Sequence, residues 1–375
     1  MMSEIVTEHR ILIGNACEQI ATIEANTVGL VVTSPPYPMI EMWDEIMSAQ
    51  NSRISKSLIN ENGLESFELM HKELDKVWTE VERIVLPGGF VCINIGDATR
   101  TISDKFCLYN NHSRIISKFI ELGFLNMPNI IWRKQTNAPN KFMGSGMLPA
   151  GAYVTLEHEW ILIFRKGGKR VFKNEEQKRL RRESAFFWEE RNTWFSDQWD
   201  LKGVKQKIEN SDTRSRSAAY PFEIPYRLIN MYSVKGDTIF DPFLGTGTST
   251  LAAIASERNS IGVEIDPSFL KVIEDNIYRS TPEGLNRYIS NRVESHKRFI
   301  VFRDKEGKDE MKHFNIYLNL PVMTSQEIEM KINFVESITG VTDIGYTVIY
   351  KPVAKNNDLA IKRPSKHGKQ ELLNF

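Results

Sequence analysis

The chain is short of cysteine. Cys17, Cys92 and Cys107 are the only three in 375 residues, too few and too unpatterned for a disulfide framework or a zinc site. No metal is expected, and a reducing cytoplasm is the simplest home. Long apolar runs are missing too: none approaches the roughly 18–20 residues of a membrane span. The opening Met1-Met2-Ser3-Glu4 does not read as a signal peptide. Charge of either sign is not in excess, because 48 Lys and Arg balance 48 Asp and Glu. A nucleic-acid binder with no net charge must gather its cations locally. Internal repeats are absent.

What is present fits a globular protein. Hydrophobic content is 41% and charged content 26%, both ordinary. The length predicts two or more domains. Strand-like and helix-like stretches alternate. Arg10 to Gly14 and Gly29 to Thr33 read as strands, and Ser48 to Asn62 as a polar loop. Phe67, Met70, Leu74, Val77, Trp78, Val81, Ile84 and Val85 recur at helical spacing. Pro87-Gly88-Gly89 stops that helix before the strand "FVCINIGD". "NIIWRK" and "EWILIFRK" read as two more strands, and "DTIF" and "SIGVEID" as strands flanking the helix "STLAAIASER". Such alternation predicts an α/β fold with a mainly parallel sheet. From about Asn291, "RFIVFRD", "FNIYLNL" and "YTVIYKPV" read as strands of a separate small α+β unit, with a flexible basic tail.

Two stretches carry chemistry. In Ser34-Pro35-Pro36-Tyr37, at the end of a buried strand, the prolines fix two φ angles and remove two donors. They also extend the residues before them. The result is a stiff corner from which Ser34 and Tyr37 project. Far along the chain, a strand ends at Asp241-Pro242-Phe243, and Gly245 and Gly247 turn into a helix at Thr248. A second strand then ends in Glu264, with Asp266 just beyond. Strand, Gly-x-Gly turn, helix and a later acid make a nucleoside-binding arrangement. With no third glycine and no Gly-Lys-Ser/Thr, a ribose-bearing ligand without pyrophosphate fits, such as S-adenosylmethionine. Either stretch alone could be a plain turn. Both at carboxyl ends of strands imply a shared crevice.

At these residues the sequence resembles the permuted, beta-class S-adenosylmethionine-dependent amino-methyltransferases of DNA, over about residues 10–285. Ser34 to Tyr37 matches the catalytic motif and Asp241 to Thr248 the cofactor motif, with Glu264 as the ribose-binding acid. The resemblance implies a Rossmann-like fold with a mixed, mainly parallel seven-stranded sheet, an inserted target-recognition region and the small C-terminal unit. It divides the chain into a catalytic half (1–165), a recognition region (166–215), a cofactor half (216–290) and the C-terminal unit (291–375). One departure stands out: Arg216 replaces the histidine that usually touches the methionine end of the cofactor.

The resemblance also implies the reaction. Ser34 and the Pro35 carbonyl would accept the two hydrogens of an exocyclic amino group, Pro36 would stiffen the corner, and Tyr37 would stack on an extruded base. A leading serine favours cytosine N4 over adenine N6. Carbon-5 methylation needs a thiolate nucleophile, and the three cysteines read better as buried small residues. The stretch Arg165 to Arg182, with Lys169, Arg170, Lys173, Lys178, Arg179, Arg181 and Arg182, is the expected source of phosphate contacts. The aromatics through Trp199 either join it or form core. Double-stranded DNA is the expected partner, in a restriction–modification setting with a cognate endonuclease. Methylation of RNA or protein, or cofactor binding without turnover, are the rival readings.

Overall fold

The computed structural model describes residues 5–134, 143–144, 147–203, 220–279, 282–341 and 345–355. In chain order the first strands are β1 (Ile5–Ile13), β2 (Val28–Thr33), β3 (Val85–Ile95), β4 (Ala98–Ile102), β5 (Lys105–Tyr109) and β6 (Phe124–Asn126). Then come β7 (Ile130–Lys134), β8 (Met143–Gly144), β9 (Ala152–Tyr153), β10 (His158–Lys166) and β11 (Gln198–Leu201). The last are β12 (Thr238–Asp241), β13 (Asn259–Glu264), β14 (His313–Asn315), β15 (Leu320–Val322), β16 (Asn333–Val341) and β17 (Gly345–Pro352).

One sheet dominates, in the order β11-β7-β10-β3-β2-β12-β13-β1-β17-β16, with β6 paired to β10. The five central strands from β3 to β1 run parallel. At the two ends β10 and β17 join antiparallel. Every residue of β2 is buried, as expected for a strand covered on both faces. Its side chains divide between two layers: Leu30 and Val32 enter one, Val28 and Val31 the other. The first layer is shared with the helices Glu223–Tyr232 and Thr248–Ala255, the second with the helix Gly63–Ile84.

That long helix starts where Asn62 accepts a hydrogen bond from the Glu65 amide, an N-cap. It buries Met70, Leu74, Val77, Trp78, Val81 and Ile84, the face anticipated from their spacing. Besides "FNIYLNL", which is not one strand but a turn at 316–319 between β14 and β15, the fold differs from the sequence reading in three places. Ser48 to Asn62 is not a loop but carries the end of one short helix, Asp44–Gln50, and the whole of another, Ser52–Ile59. "RFIVFRD" is helical, inside Pro282–Lys305. Its neighbours decide this: Leu285, Ile289, Val293 and His296 continue one buried face at helical spacing.

The third difference is the separate C-terminal unit. The helix Pro282–Lys305 runs through the expected boundary at 290/291. β16 and β17 extend the main sheet rather than form their own, so it has eleven strands instead of seven. Of the C-terminal strands described, β14 and β15 alone make a ribbon apart from it. β17 satisfies the edge of β1 from Ile5 to Arg10. The Tyr350 hydroxyl donates to the Ile254 carbonyl at 2.9 Å and lies 2.8 Å from Thr7 Oγ1. The basic tail beyond residue 355 lies outside the described residues. Among those, no helix is long and apolar enough to cross a membrane.

Tyr350→Phe removes a buried hydroxyl with two partners. It should lower stability by about 1–3 kcal/mol, read as a shift in the urea midpoint at unchanged slope.

Candidate active site

β2 and β12 lie side by side and parallel, so their carboxyl ends open on the same edge. The chain leaves β2 at Thr33 into the proline corner, and leaves β12 at Asp241 into the glycine turn. Thr33 Oγ1 donates to Asp241 Oδ1 at 2.6 Å, joining residues 208 positions apart. Ser249 Oγ donates to the other carboxylate oxygen at 2.5 Å, and the Phe243 amide to Oδ1 at 3.1 Å. Asp241 is thereby the pin of the site. Burial raises its pKa, while the hydrogen bonds from Ser249 and Thr33 oppose that rise.

The turn and the later acid are also joined. The Gly245 amide donates to Glu264 Oε2 at 2.8 Å and the Asp266 amide to Oε1 at 2.9 Å. Gly247 has φ +84°, a left-handed conformation that side chains resist. A Cβ there would meet Ile273 at 3.2 Å. Burial raises the Glu264 pKa to about 7. Its carboxylate oxygens have lone pairs to spare for two ribose hydroxyls.

A cavity of about 350 Å³ holds all of this. Ser34, Pro35, Pro36 and Tyr37 line it together with Asp241, Pro242, Phe243, Gly245, Thr248, Glu264 and Asp266. Gly247 itself is not among the lining residues, although Thr246 and Thr248 on either side of it are. The two distant loops thus converge, and a nucleoside with a charged side arm has a cradle of matching chemistry. Three wall pieces were not foreseen. Asn15 caps the helix Ala16–Ala21 and brings Cys17 to the cavity. Trp43 and Met47 come from the residues just before the segment read as a loop. Glu73, Leu74 and Val77 come from the long helix. No signal short of three-dimensional contact marks them.

Under Tyr37 lies a polar cluster that the sequence hides. The Tyr37 hydroxyl lies 3.2 Å from Ser34 Oγ and donates to Glu159 Oε2 at 2.9 Å. Asn94 Nδ2 donates to Glu159 Oε2 at 2.6 Å and to Tyr37 Oη at 2.8 Å. Lys134 pairs with Glu159 Oε1. Burial first, then the Glu159 charge, pushes the Tyr37 phenol well above its ordinary pKa. It therefore keeps its proton. Asn94 and Glu159 sit inside apolar strands, where a single polar residue looks like noise.

The basic stretch is not brought to this crevice. Arg170 makes two hydrogen bonds to Asp237, at 2.6 and 2.8 Å. Asp237 precedes β12, whereas Asp241 ends it, so the two sit about 13 Å apart along the strand. The stretch is anchored at the amino edge of the sheet, opposite the cavity. Lys178 pairs with Glu175, Arg179 with Glu176 and Glu183, and Arg182 with Glu329. Arg181 lies over the Phe172 ring. Lys169 and Lys173 are exposed. Of the seven expected phosphate ligands, Arg170, Lys178, Arg179 and Arg182 thus have carboxylate partners within the fold. Trp194 and Trp199 are core, and Trp188 stacks on Phe299 at 5.9 Å.

Other expectations resolve simply. Cys92 is fully buried, while Cys17 and Cys107 are partly exposed, so the reading of three buried cysteines holds for Cys92 alone. Asp97 accepts from the His112 amide at 3.1 Å and anchors the helix Asn111–Glu121. Arg216 lies outside the described residues.

Comparison with known proteins agrees with this geometry. Residues 28–275 match a family model described as DNA methylase. The chain is 50% identical over 349 residues to the Type II methyltransferase M.MthZI of Methanothermobacter thermautotrophicus, spanning 92% of this chain and 96% of that one. It is 51% identical over 292 residues to the Type II methyltransferase M.MjaI of Methanocaldococcus jannaschii, spanning 74% and 94%. The Thermus thermophilus protein TTHA0409, a putative DNA modification methylase solved with S-adenosyl-L-methionine, superposes with a TM-score of 0.56 at 31% identity. That match covers 72% of this chain and 95% of the other.

The raised Glu264 pKa gives a test. Below about 7 the free carboxyl holds a proton and has lost acceptor capacity. Affinity for S-adenosylmethionine should therefore fall as pH drops from about 8 to 6. Glu264→Gln should bind roughly tenfold more weakly or worse and lose that pH dependence, as measured by calorimetry.

Proposed function

The chain belongs to the DNA methylase family, and on that footing we propose that it methylates cytosine N4 within a specific double-stranded DNA sequence. The methyl donor is S-adenosylmethionine, which when bound supplies an electrophilic sulfonium carbon. Glu264 holds the ribose hydroxyls, and the Gly245–Gly247 turn lets the backbone approach closely. Asp241 keeps the turn and the proline corner in one frame.

The single observation that carries the reading is the Thr33–Asp241 hydrogen bond. It sets the amino-binding corner against the cofactor turn, within one cavity. The amino nitrogen of a nucleobase is a poor nucleophile, because its lone pair is delocalised into the ring. Acceptors for its two hydrogens can draw that lone pair out of plane. Ser34 Oγ and the Pro35 carbonyl are suited to this role, and Tyr37 offers a ring face for stacking. The remaining advantage is positioning and fixed dipoles around the moving charge.

The base must leave the duplex to enter, at a cost of a few kcal/mol offset by stacking and pocket hydrogen bonds. Duplex DNA then approaches the carboxyl edge of the sheet. Lys169, Arg170, Lys173, Lys178, Arg179, Arg181 and Arg182 remain the proposed source of phosphate contacts, to phosphates that flank the target base. The leading serine supports cytosine N4, and adenine N6 is the alternative for the same corner. Protection of DNA from a cognate restriction endonuclease is the setting we infer, since both Type II methyltransferases above align over nearly their full lengths.

DNA from a host expressing the chain should yield N4-methylcytosine on nucleoside digestion and mass spectrometry. A digest with N6-methyladenine alone would reverse the choice of base. Ser34→Ala should slow methyl transfer roughly 100-fold, with little change in cofactor affinity.

A further inference from the structure

Glu159 has no part in the motifs, yet three polar side chains converge on it. It lies on β10, 8% exposed. Tyr37 and Asn94 donate to Oε2, and Lys134 pairs with Oε1. Arg133, Glu157 and His158 are the nearby ionisable residues along β7 and the start of β10. An ionised carboxylate only accepts hydrogen bonds, and this fixes the direction of everything attached to it.

Tyr37 has one hydroxyl proton, and Glu159 takes it. Ser34 Oγ lies 3.2 Å from Tyr37 Oη, so in that contact Ser34 is the donor. Asn94 Nδ2 also reaches Ser34 Oγ, but at 3.5 Å, while its two hydrogens go to the nearer Tyr37 and Glu159, so the Ser34 lone pairs are left chiefly for the cavity that Ser34 lines. Asn94 obeys the same constraint. Its Nδ2 turns to Glu159 and Tyr37 although this leaves its buried Oδ1 without a partner. The reverse orientation would set two acceptor oxygens against each other.

We propose that Glu159 is the positioning residue that aims Ser34 as an acceptor and receives the proton released by amino methylation. The inference rests on the amino-transfer reading above and holds for either base. As the nitrogen–carbon bond forms and the carbon–sulfur bond breaks, the nitrogen is left with one proton too many. That proton passes to Ser34 Oγ, the Ser34 proton passes to Tyr37 Oη, and the Tyr37 proton passes to Glu159. The chain ends as a neutral carboxylic acid beside Lys134, with Ser34 and Tyr37 restored. Glu159 then releases its proton to solvent.

Glu159→Gln keeps the shape but can donate to Tyr37, which lets the whole chain reverse and turns the Ser34 hydrogen toward the amino group. Tyr37→Phe keeps the ring and cuts the chain. Each should slow single-turnover methylation of duplex DNA about 100-fold, with the dissociation constant for S-adenosylmethionine within about twofold of the parent. Because both act on one path, the double variant should be no slower than either single one. A Glu159→Gln rate within about threefold of the parent, or losses that multiply, would overturn the proposal. If Glu159→Gln loses cofactor binding, Tyr37→Phe carries the test by the same threshold. A parent protein that methylates no DNA amino group would instead sink the amino-transfer reading, and the relay with it.

Discussion

The hydrogen bond from Thr33 to Asp241 is the constraint on which the site depends. It is a short contact between two buried side chains, each at the carboxyl end of a central strand. A buried carboxylate is expensive unless its lone pairs are used. Asp241 meets that demand with partners from both halves of the cavity: Thr33 from the catalytic side, Ser249 and the Phe243 amide from the cofactor side. The need to satisfy one buried charge therefore aligns two loops that the chain separates by more than half its length.

The rest of the fold serves that alignment. Five parallel strands put their carboxyl ends on one edge, and helices cover both faces. Rigid strands, rather than loops, carry Asn94 and Glu159 beneath the corner, so the polar cluster has little freedom to drift. The buried pair Lys235–Glu257 and the Arg170–Asp237 pair hold the amino edge. The cavity sits at the other. Charge is thus used at both edges of the sheet, structurally at one and chemically at the other.

Much of this was legible in the residues. Gly29 to Thr33 reads as a buried strand from its apolar run, and the proline corner and Gly-x-Gly turn announce themselves by backbone chemistry alone. The long helix is legible from Leu74, Val77, Trp78 and Val81. What was not legible has physical reasons. "RFIVFRD" holds a short apolar run that reads like a strand, but the buried face of its helix is set by Leu285, Ile289, Val293 and His296, which precede it. Arg170 looks like a phosphate ligand until Asp237 is seen beside it, since sequence counts charges but not their partners. Glu159 was invisible because a carboxylate inside "EWILIF" acquires meaning only from Tyr37, Asn94 and Lys134, which arrive from three other places in the chain.

The place of β1 has a consequence for biogenesis. It lies between β13 and β17, and the ribosome makes both of them long after it. One edge of β1 stays without its native neighbour until residue 264 has emerged, and the other until residue 352. Such non-local pairing slows folding. Through most of synthesis it leaves this strand with free backbone donors and acceptors, open to wrong association.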